Sequence, residues 1–326
     1  MHDVRELHPN AVRYAERNFA HNAIQKILVI VDPRATTHPC IEKAARLASA
    51  FGSSLELYAC EVDDAVPESW AGGTSTIAYR GLMRERRIAD LEALANPLRA
   101  RGLGVITESE AKSPFEETVV AHAIRAQADL VIKDVERYPS FSRTPAAQSD
   151  WILIRQMPVP LLLVKPHAWP SHPRICAAVD PCHPADRPAT LDESLIATAR
   201  SFGLALSGDF EVVHTLQPPP HLPGDSVSTA ACQKAHAQAR HAVEQLADQA
   251  GLAREAVHFL PERIPDGILK LAVSTGADIL VMGSAGRPRF QYSAASTASL
   301  VLEQLDSDLL IVKAPGFISP LMLEEV

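Results

Sequence analysis

The sequence predicts an α/β protein built from two tandem domains, each a five-stranded parallel sheet flanked by helices. Two observations support this prediction. Short β-branched runs alternate with longer segments of helical periodicity, which is the pattern of βα units around a parallel sheet, and the whole order of segments occurs twice. With 326 residues, of which 47% are hydrophobic, the chain can form two domains of about 150 residues each.

The internal repeat has a constant offset at two distant landmarks. ILVIVDP and ICAAVDP place Asp180 148 residues after Asp32, and LLLVKP and LLIVKAP place Lys313 148 residues after Lys165. Between these landmarks ADLVIK matches ADILVMG at an offset of 149, and WILIRQ matches SLVLEQ. The chain therefore contains a duplicated unit of about 148 residues.

The predicted strands are short apolar runs in both halves. In the first half they are Ile27–Val31, Ser54–Cys60, Gly104–Glu108, Asp129–Lys133 and Pro160–Val164. In the second half they are Arg174–Val179, Asp209–His214, Ala256–Phe259, Asp278–Met282 and Asp308–Val312. These runs are too short for a membrane span of about 20 residues, and we expect them to be buried strands.

The predicted helices lie between the strands. They cover Pro39–Phe51, Tyr79–Arg101, Pro114–Ala126, Pro145–Gln156, Ala189–Leu204, Thr229–Ala250, Pro265–Ser274 and Ala294–Gln304. Several begin with proline, which the first turn tolerates because its N–H groups need no partner within the helix. We expect an N-terminal extension over 1–22, a first domain over 23–165, a linker over 166–173, a second domain over 174–315 and a tail over 316–326.

Composition excludes several function classes. A formal net charge of −8 disfavours a nucleic-acid partner, because such proteins concentrate Lys and Arg on one face. The N-terminal segment has no apolar stretch typical of a secretory leader. The 5 cysteines form no CxxC pair, which fits a reducing compartment. We therefore expect a cytoplasmic protein without a membrane span.

A candidate ligand site lies at the end of the fourth strand of the second half. In a parallel sheet, ligands lie beyond the carboxyl ends of the strands where the strand order reverses. There GSAGRPRF provides small residues through which main-chain N–H groups can approach a phosphate, and the next helix begins nearby with free N–H groups that favour an anion. The residues concerned are Gly283, Gly286, Arg287, Ser296, Thr297 and Ala298.

These motifs resemble the universal stress protein family. The VDP after the first strand, ADILVMGSAGR and DLLIVK are similar to its signatures, and its ATP-binding members carry GxxG, nine residues, then Gly followed by Ser, Thr or Asn. The resemblance covers residues 24–315, and the duplicated layout is similar to the tandem, E-type members. It implies two Rossmann-like domains of the adenine nucleotide alpha hydrolase-like type and a role in the stress response.

The resemblance also implies roles for individual residues. Asp180, with Pro181 after it, corresponds to the acid beside the nucleotide, and Thr215 follows the second strand near the adenine position. Gly283 and Gly286 correspond to the phosphate-loop glycines. One position departs from the family pattern, because Ser296 replaces the third glycine, and its Cβ would either fill space that a phosphate needs or disfavour a positive φ. The expected ligand is ATP with Mg²⁺, and no cofactor is obligatory.

The first half departs further from this pattern. Its fourth strand runs into KDVERYPSF over residues 133–141, a loop without glycine. We therefore expect no classical nucleotide binding there. We expect Asp32 to close the first strand or cap the following turn, with a role in ligand binding as the less favoured alternative. The aromatic residues Tyr138, Phe141 and Trp151 either pack in the core or cover an apolar cavity.

Neither a metal site nor a catalytic site is predicted. The 13 histidines form no HxxxH or HExxH arrangement, and His236 and His241 are spaced so that they diverge around a helix. There is no GxSxG motif, and we expect no cysteine with an adjacent basic partner. The cysteines are interpreted as structural.

Three functions remain in order of preference. The first is a non-enzymatic stress protein whose second domain senses a small molecule, with ATP as the leading ligand, and regulates protein partners. The alternative is an interaction module with an apolar or lipid-like ligand and no nucleotide, whose halves pair as an internal pseudo-dimer, with a further homodimer as an option. The third is a weak ATPase, which the absence of a GxxxxGK[ST] lysine disfavours.

Overall fold

The structure is a computed structural model that describes residues 24–32, 35–61, 74–135, 145–182, 190–216, 229–262, 264–284 and 297–320. These residues form two compact units, the first comprising residues 24–168 and 318–320 and the second residues 169–317. The predicted N-terminal extension over 1–22 lies outside the described residues.

The first unit contains a five-stranded parallel sheet. Its strands are β1 (Lys26–Ile30), β2 (Ser54–Glu61), β3 (Val105–Ala111), β4 (Leu130–Asp134) and β5 (Leu161–Val164). Their spatial order is β3-β2-β1-β4-β5, so the chain reverses direction across the sheet between β1 and β4. This reversal marks the switch point, where ligands bind in such sheets.

The helices of the first unit are α1 (Pro39–Phe51), α2 (Thr74–Ala100), α3 (Phe115–Arg125) and α4 (Pro145–Gln156). Proline stands at the first position of α1, where no N–H is needed. Gly52 ends α1 with a φ of 72°, a left-handed conformation that favours glycine. Its N–H donates a hydrogen bond to the Ala48 carbonyl.

The second unit repeats this architecture. Its strands are β6 (Arg174–Ala178), β7 (Asp209–Thr215), β8 (Val257–Leu260), β9 (Ile279–Gly283) and β10 (Asp308–Val312), in the order β8-β7-β6-β9-β10 with all pairs parallel. Its helices are α5 (Thr190–Leu206), α6 (Thr229–Gln249), α7 (Asp266–Thr275) and α8 (Thr297–Gln304). The predicted fold class, two tandem Rossmann-like domains, is confirmed.

Some predicted boundaries differ from the structure. β3 ends at Ala111 rather than at Glu108, because its hydrogen-bonded register with β2 continues to the Glu61 pair. α2 begins at Thr74 rather than at Tyr79. β4 begins at Leu130, one residue after the predicted Asp129.

The same carboxylate contact anchors the first and fourth strands of each unit at their amino ends. In the first unit Asp129 Oδ2 accepts the N–H groups of Gln25 and Lys26, each at 2.9 Å. In the second unit Asp278 Oδ2 accepts the Arg174 N–H at 2.8 Å. The main chain of each aspartate also donates to the opposite strand, at 2.8 Å in both units. The first strand is thus fixed in register beside the fourth.

We expect Asp129→Ala to lower the free energy of unfolding by about 2 kcal/mol, because two main-chain N–H groups lose a charged acceptor. Asp129→Asn, which retains one oxygen acceptor, should lose less. Asp209→Ala is the control, because Asp209 is exposed at the start of β7. Urea unfolding of the full chain measures all three variants. An Asp129→Ala loss no larger than that of Asp209→Ala would contradict the anchoring role.

Candidate functional site

Three candidate residues of the second unit lie at the carboxyl ends of adjacent strands. β6 pairs with β7 on one side and with β9 on the other, and Ala178 lies opposite Met282 in the register. Asp180 follows β6, Thr215 ends β7 and Gly283 ends β9. The structure therefore brings these residues to the same edge, at the point where the strand order reverses.

The main chain of Asp180 is held by a residue that sequence analysis missed. The Asp180 N–H donates to Asp192 Oδ1 at 2.9 Å, and Asp192 lies in the first turn of α5 with only 2% of its surface exposed. The carboxylate thus connects the start of the helix to the loop after β6. The acid in the first turn of a mostly apolar helix was the available signal in the sequence. Pro181 follows, half-buried.

Thr215 is buried, so its environment is mostly protein. Its neighbour His214 donates through Nδ1 to the Val179 carbonyl at 2.9 Å, which ties the end of β7 to the end of β6. A Cβ on Gly267, in the first turn of α7, would lie 3.2 Å from Thr215 Cγ2. The α7 helix thus lies close to this edge, and a side chain at position 267 would require Thr215 to shift slightly.

A buried lysine stands beside the start of the loop after β9. Lys313 Nζ donates to Ser284 Oγ at 2.8 Å, and the Ser284 N–H donates to the Val312 carbonyl at 3.1 Å. Lys313 also lies over the Phe317 ring, with Nζ 4.6 Å from the ring centroid. Lys313, which in the sequence is a landmark of the repeat, thus carries a positive charge near Gly283.

Of the remaining candidate residues, two lie among the described residues and three do not. Thr297 is exposed at the first position of α8, and Ala298 behind it is buried against the core. Gly286, Arg287 and Ser296 lie outside the described residues. Their predicted roles remain predictions.

The first unit places a carboxylate where the second has a phosphate-loop glycine. The repeat aligns Asp134 with Gly283. Asp134 Oδ1 accepts the Cys40 N–H in the first turn of α1 at 2.8 Å. Burial raises the pKa of Asp134, and the hydrogen bonds from Cys40 offset only part of that shift. Burial also raises the pKa of the Cys40 thiol, which keeps it protonated.

A buried ion pair lies next to this carboxylate. Lys133 Nζ is 3.0 Å from Asp150 Oδ1, and their side chains are 7% and 1% exposed. Lys133 Nζ also donates to the Asp134 carbonyl at 3.0 Å. The alignment of WILIRQ with SLVLEQ matches Asp150 to Ala298, in the first turn of α8. Charges of the protein itself therefore occupy, in the first unit, positions that belong to the candidate phosphate site in the second.

Two other residues singled out in the first unit, Asp32 and Trp151, lie among the described residues. Asp32 is half-buried, and its carbonyl accepts the Ala35 N–H at 3.1 Å. Trp151 is half-buried in α4. Tyr138 and Phe141 lie outside the described residues.

The expectation that no cysteine has an adjacent basic partner is wrong. Cys232 Sγ lies 3.7 Å from His236 Nε2. The two residues are four positions apart on α6, so the helical turn brings their side chains to the same face. The i, i+4 spacing of Cys232 and His236 was the available signal in the sequence.

We expect Asp150→Ala to lower the free energy of unfolding by about 3–5 kcal/mol, because the buried Lys133 ammonium loses its carboxylate. The double variant Lys133→Met/Asp150→Leu removes both charges and should lose much less. Urea unfolding measures both. A loss below about 1 kcal/mol for Asp150→Ala, as for an exposed pair, would show that the pair does not support the fold.

Comparison with known proteins identifies the class. The model of the Universal stress protein family matches residues 23–165 and 173–313, so the chain belongs to this family and carries two of its domains in tandem. The chain is similar to Universal stress protein E of Escherichia coli K12, with 25% identity over 321 residues, covering 92% of this chain and 98% of that protein. Universal stress protein E of Photorhabdus laumondii is 21% identical over 313 residues, covering 91% of this chain and 97% of that protein. The resemblance inferred from the motifs is confirmed, and this chain is a tandem protein like Universal stress protein E.

Solved structures share the fold over nearly the whole chain. A putative universal stress protein from Pseudomonas aeruginosa UCBPP-PA14 has a TM-score of 0.71 and 25% identity, covering 94% of this chain and 99% of that one. A protein of unknown function from Pseudomonas aeruginosa PAO1 has a TM-score of 0.69 and 24% identity, covering 92% of this chain and 96% of that one. Among the described residues, no helix is long and apolar enough to cross a membrane.

Proposed function

We propose that this protein is a non-enzymatic, cytoplasmic universal stress protein whose second unit senses an adenine nucleotide, with ATP as the leading ligand, and regulates protein partners. The observation that carries the proposal is the convergence of Asp180, Thr215 and Gly283 at the switch point of the second sheet. This is the edge at which parallel α/β sheets bind ligands.

The electrostatics of this edge suit an anionic ligand. The N-terminus of α8 begins at the exposed Thr297, and free N–H groups at a helix start favour an anion. The Lys313 ammonium lies beside the loop at Ser284. Gly283 and Gly286 allow main-chain N–H groups to approach phosphate oxygens. When Mg²⁺ accompanies the nucleotide, Asp180 is the carboxylate placed to hold it.

The same residues support binding more than turnover. The loop after β9 has no GxxxxGK[ST] lysine. Sensing without hydrolysis is therefore the expected activity, and a weak ATPase is the alternative that a turnover assay tests.

The interaction-module alternative is favoured by one observation in the first unit. Lys133, Asp134 and Asp150 fill the positions that correspond to the candidate phosphate site. That half is accordingly proposed to act without nucleotide, as a scaffold for partners or for an apolar ligand. Mass spectrometry of molecules that copurify with the protein tests this.

We expect Mg·ATP to bind the full-length protein with micromolar affinity in isothermal titration calorimetry, and Gly286→Glu to abolish binding, because a carboxylate enters the phosphate loop. The matched control is Gly81→Glu, which adds the same charge in α2, where a Cβ meets open space. ATP hydrolysis is measured on the same samples. No heat at millimolar ATP, or equal binding by both variants, would reject the nucleotide site.

Ser296→Gly restores the third glycine of the family pattern and should tighten ATP binding, because it removes a Cβ from space that a phosphate needs. The same calorimetric titration measures the change against the natural chain. Unchanged or weaker binding would show that Ser296 does not limit the site.

A further inference from the structure

A second polar cluster lies in the first unit, away from the switch point. It is built from Lys26 at the amino-terminal end of β1, from side chains of β2 and β3, and from the last turn of α3. His122 and Glu56 have side chains that are 1% and 2% exposed, and His122 Nε2 lies 2.5 Å from Glu56 Oε1. The Tyr58 ring stacks on the imidazole with centroids 3.8 Å apart. A buried polar contact of this kind is unusual for a core.

The hydrogen bonds define the protonation state of His122. The guanidinium of Arg125 has no acceptor atom, so its NH2 group must donate to His122 Nδ1, which lies 2.7 Å away. Nδ1 therefore carries no proton, and Nε2–H donates to Glu56. In this arrangement the imidazole is neutral and both ring nitrogens are satisfied.

Acceptors for a second imidazole proton are already in place. Glu108 Oε1 and Glu110 Oε2 lie 3.9 Å and 3.8 Å from His122 Nδ1. Glu110 Oε2 also accepts the Tyr58 hydroxyl at 2.6 Å and Arg125 at 3.0 Å. A protonated Nδ1 repels Arg125 and can donate to either carboxylate after a small displacement.

The charged side chains that face His122 come from four elements, β1, β2, β3 and α3. Glu56, Glu108 and Glu110 provide three negative charges, and Lys26, 2.6 Å from Glu56, and Arg125 provide two positive charges. With a neutral imidazole the sum is one negative charge, which a single proton neutralises.

A metal ion fits this cluster less well. Ligand atoms of Glu56, Glu108 and His122 lie within 4.8 Å of one another. However, the 2.5 Å between His122 Nε2 and Glu56 Oε1 is shorter than the roughly 3.3 Å separating two ligands bonded tetrahedrally to zinc. The Arg125 donor also occupies Nδ1, which in metal sites donates to a carboxylate or carbonyl.

The carboxylates retain their charge where histidine ordinarily titrates. Burial alone would raise the pKa of Glu56, but hydrogen bonds from His122 and Lys26 lower it below the ordinary value of 4.5. For Glu110 the opposing effect of burial is likewise outweighed by hydrogen bonds from Tyr58 and Arg125, and its pKa is lowered. Their contribution to stability is present above pH 4.5 and is lost only as the pH falls through these lowered values.

We propose that His122 is a proton-driven switch in the first unit: on mild acidification it exchanges the Arg125 donor at Nδ1 for a proton that is shared with Glu108 or Glu110. The change breaks the hydrogen bond between the Arg125 guanidinium and His122, which both lie in the last turn of α3, while Arg125, already 54% exposed, keeps Glu110 as its partner. The switch therefore connects proton uptake to the contact between α3 and the edge strand β3.

The second unit supplies a matched control. There Arg174 and His258 flank Glu211, at 3.7 Å and 3.2 Å, as Lys26 and His122 flank Glu56. His258 is 29% exposed and belongs to β8 rather than to a helix. Substitution of His258 thus removes a similar imidazole–carboxylate pair without the α3 contact.

The test measures hydrogen exchange of the last-turn amides of α3 in the full chain, as protection factors at about pH 8 and about pH 5, the range in which histidine changes charge. The natural chain and His258→Gln should lose protection by about 2- to 10-fold at the lower pH, the factor that one hydrogen bond contributes. His122→Gln should show no such change. Arg125→Met, which alters a half-exposed residue, provides a second variant and should also be independent of pH.

Three outcomes would overturn the switch. The first is equal protection of the natural chain at both pH values. The second is a pH response that persists in Arg125→Met or His122→Gln. The third is a response that requires added Zn²⁺ rather than acid, which would assign the cluster to a metal ion.

Discussion

The pairing of the first and fourth strands determines where the chemistry of each unit can lie. β1 pairs with β4 and β6 with β9, and buried or half-buried aspartates anchor these pairs at their amino ends. Because parallel strands point the same way, this register brings the loops after them to one edge. The switch point, the candidate ligand residues and the internal ion pair all depend on it.

On this shared scaffold the two units have opposite electrostatics at the switch point. The second unit presents glycine, the start of α8 and the Lys313 ammonium near its loop. The first unit presents the Asp134 carboxylate and the buried pair of Lys133 and Asp150. The candidate site of the second unit thus has features that favour an anion, whereas charges of the protein itself occupy the corresponding positions of the first unit. The proposed division of roles between the two units rests on this difference.

The first unit concentrates its other titratable groups at a different place. His122 and Glu56 are nearly inaccessible to solvent, yet they connect through Arg125 and Glu110 to exposed side chains. Because the cluster is buried, each of its hydrogen bonds contributes strongly to stability: an unpaired charge in a medium of low dielectric constant raises the free energy of the folded state. A proton that enters such a network must therefore move a partner. The second unit thus contains the candidate ligand site, and the first unit contains the cluster that we propose responds to protons.

The sequence by itself determined the duplication, the order of strands and helices, and the glycine loop of the second half, because apolar periodicity and the 148-residue offset are local or linear signals. It placed Asp180 just after the first strand of the second half, as found, but it placed Gly283 in the loop after the fourth strand, whereas Gly283 is the last residue of β9. Only the tertiary structure identified Asp192, Lys313, the Lys133–Asp150 pair and the cluster around His122. Their partners lie on different secondary-structure elements. The spacing of residues along the chain does not indicate which side chains of separate strands and helices come into contact.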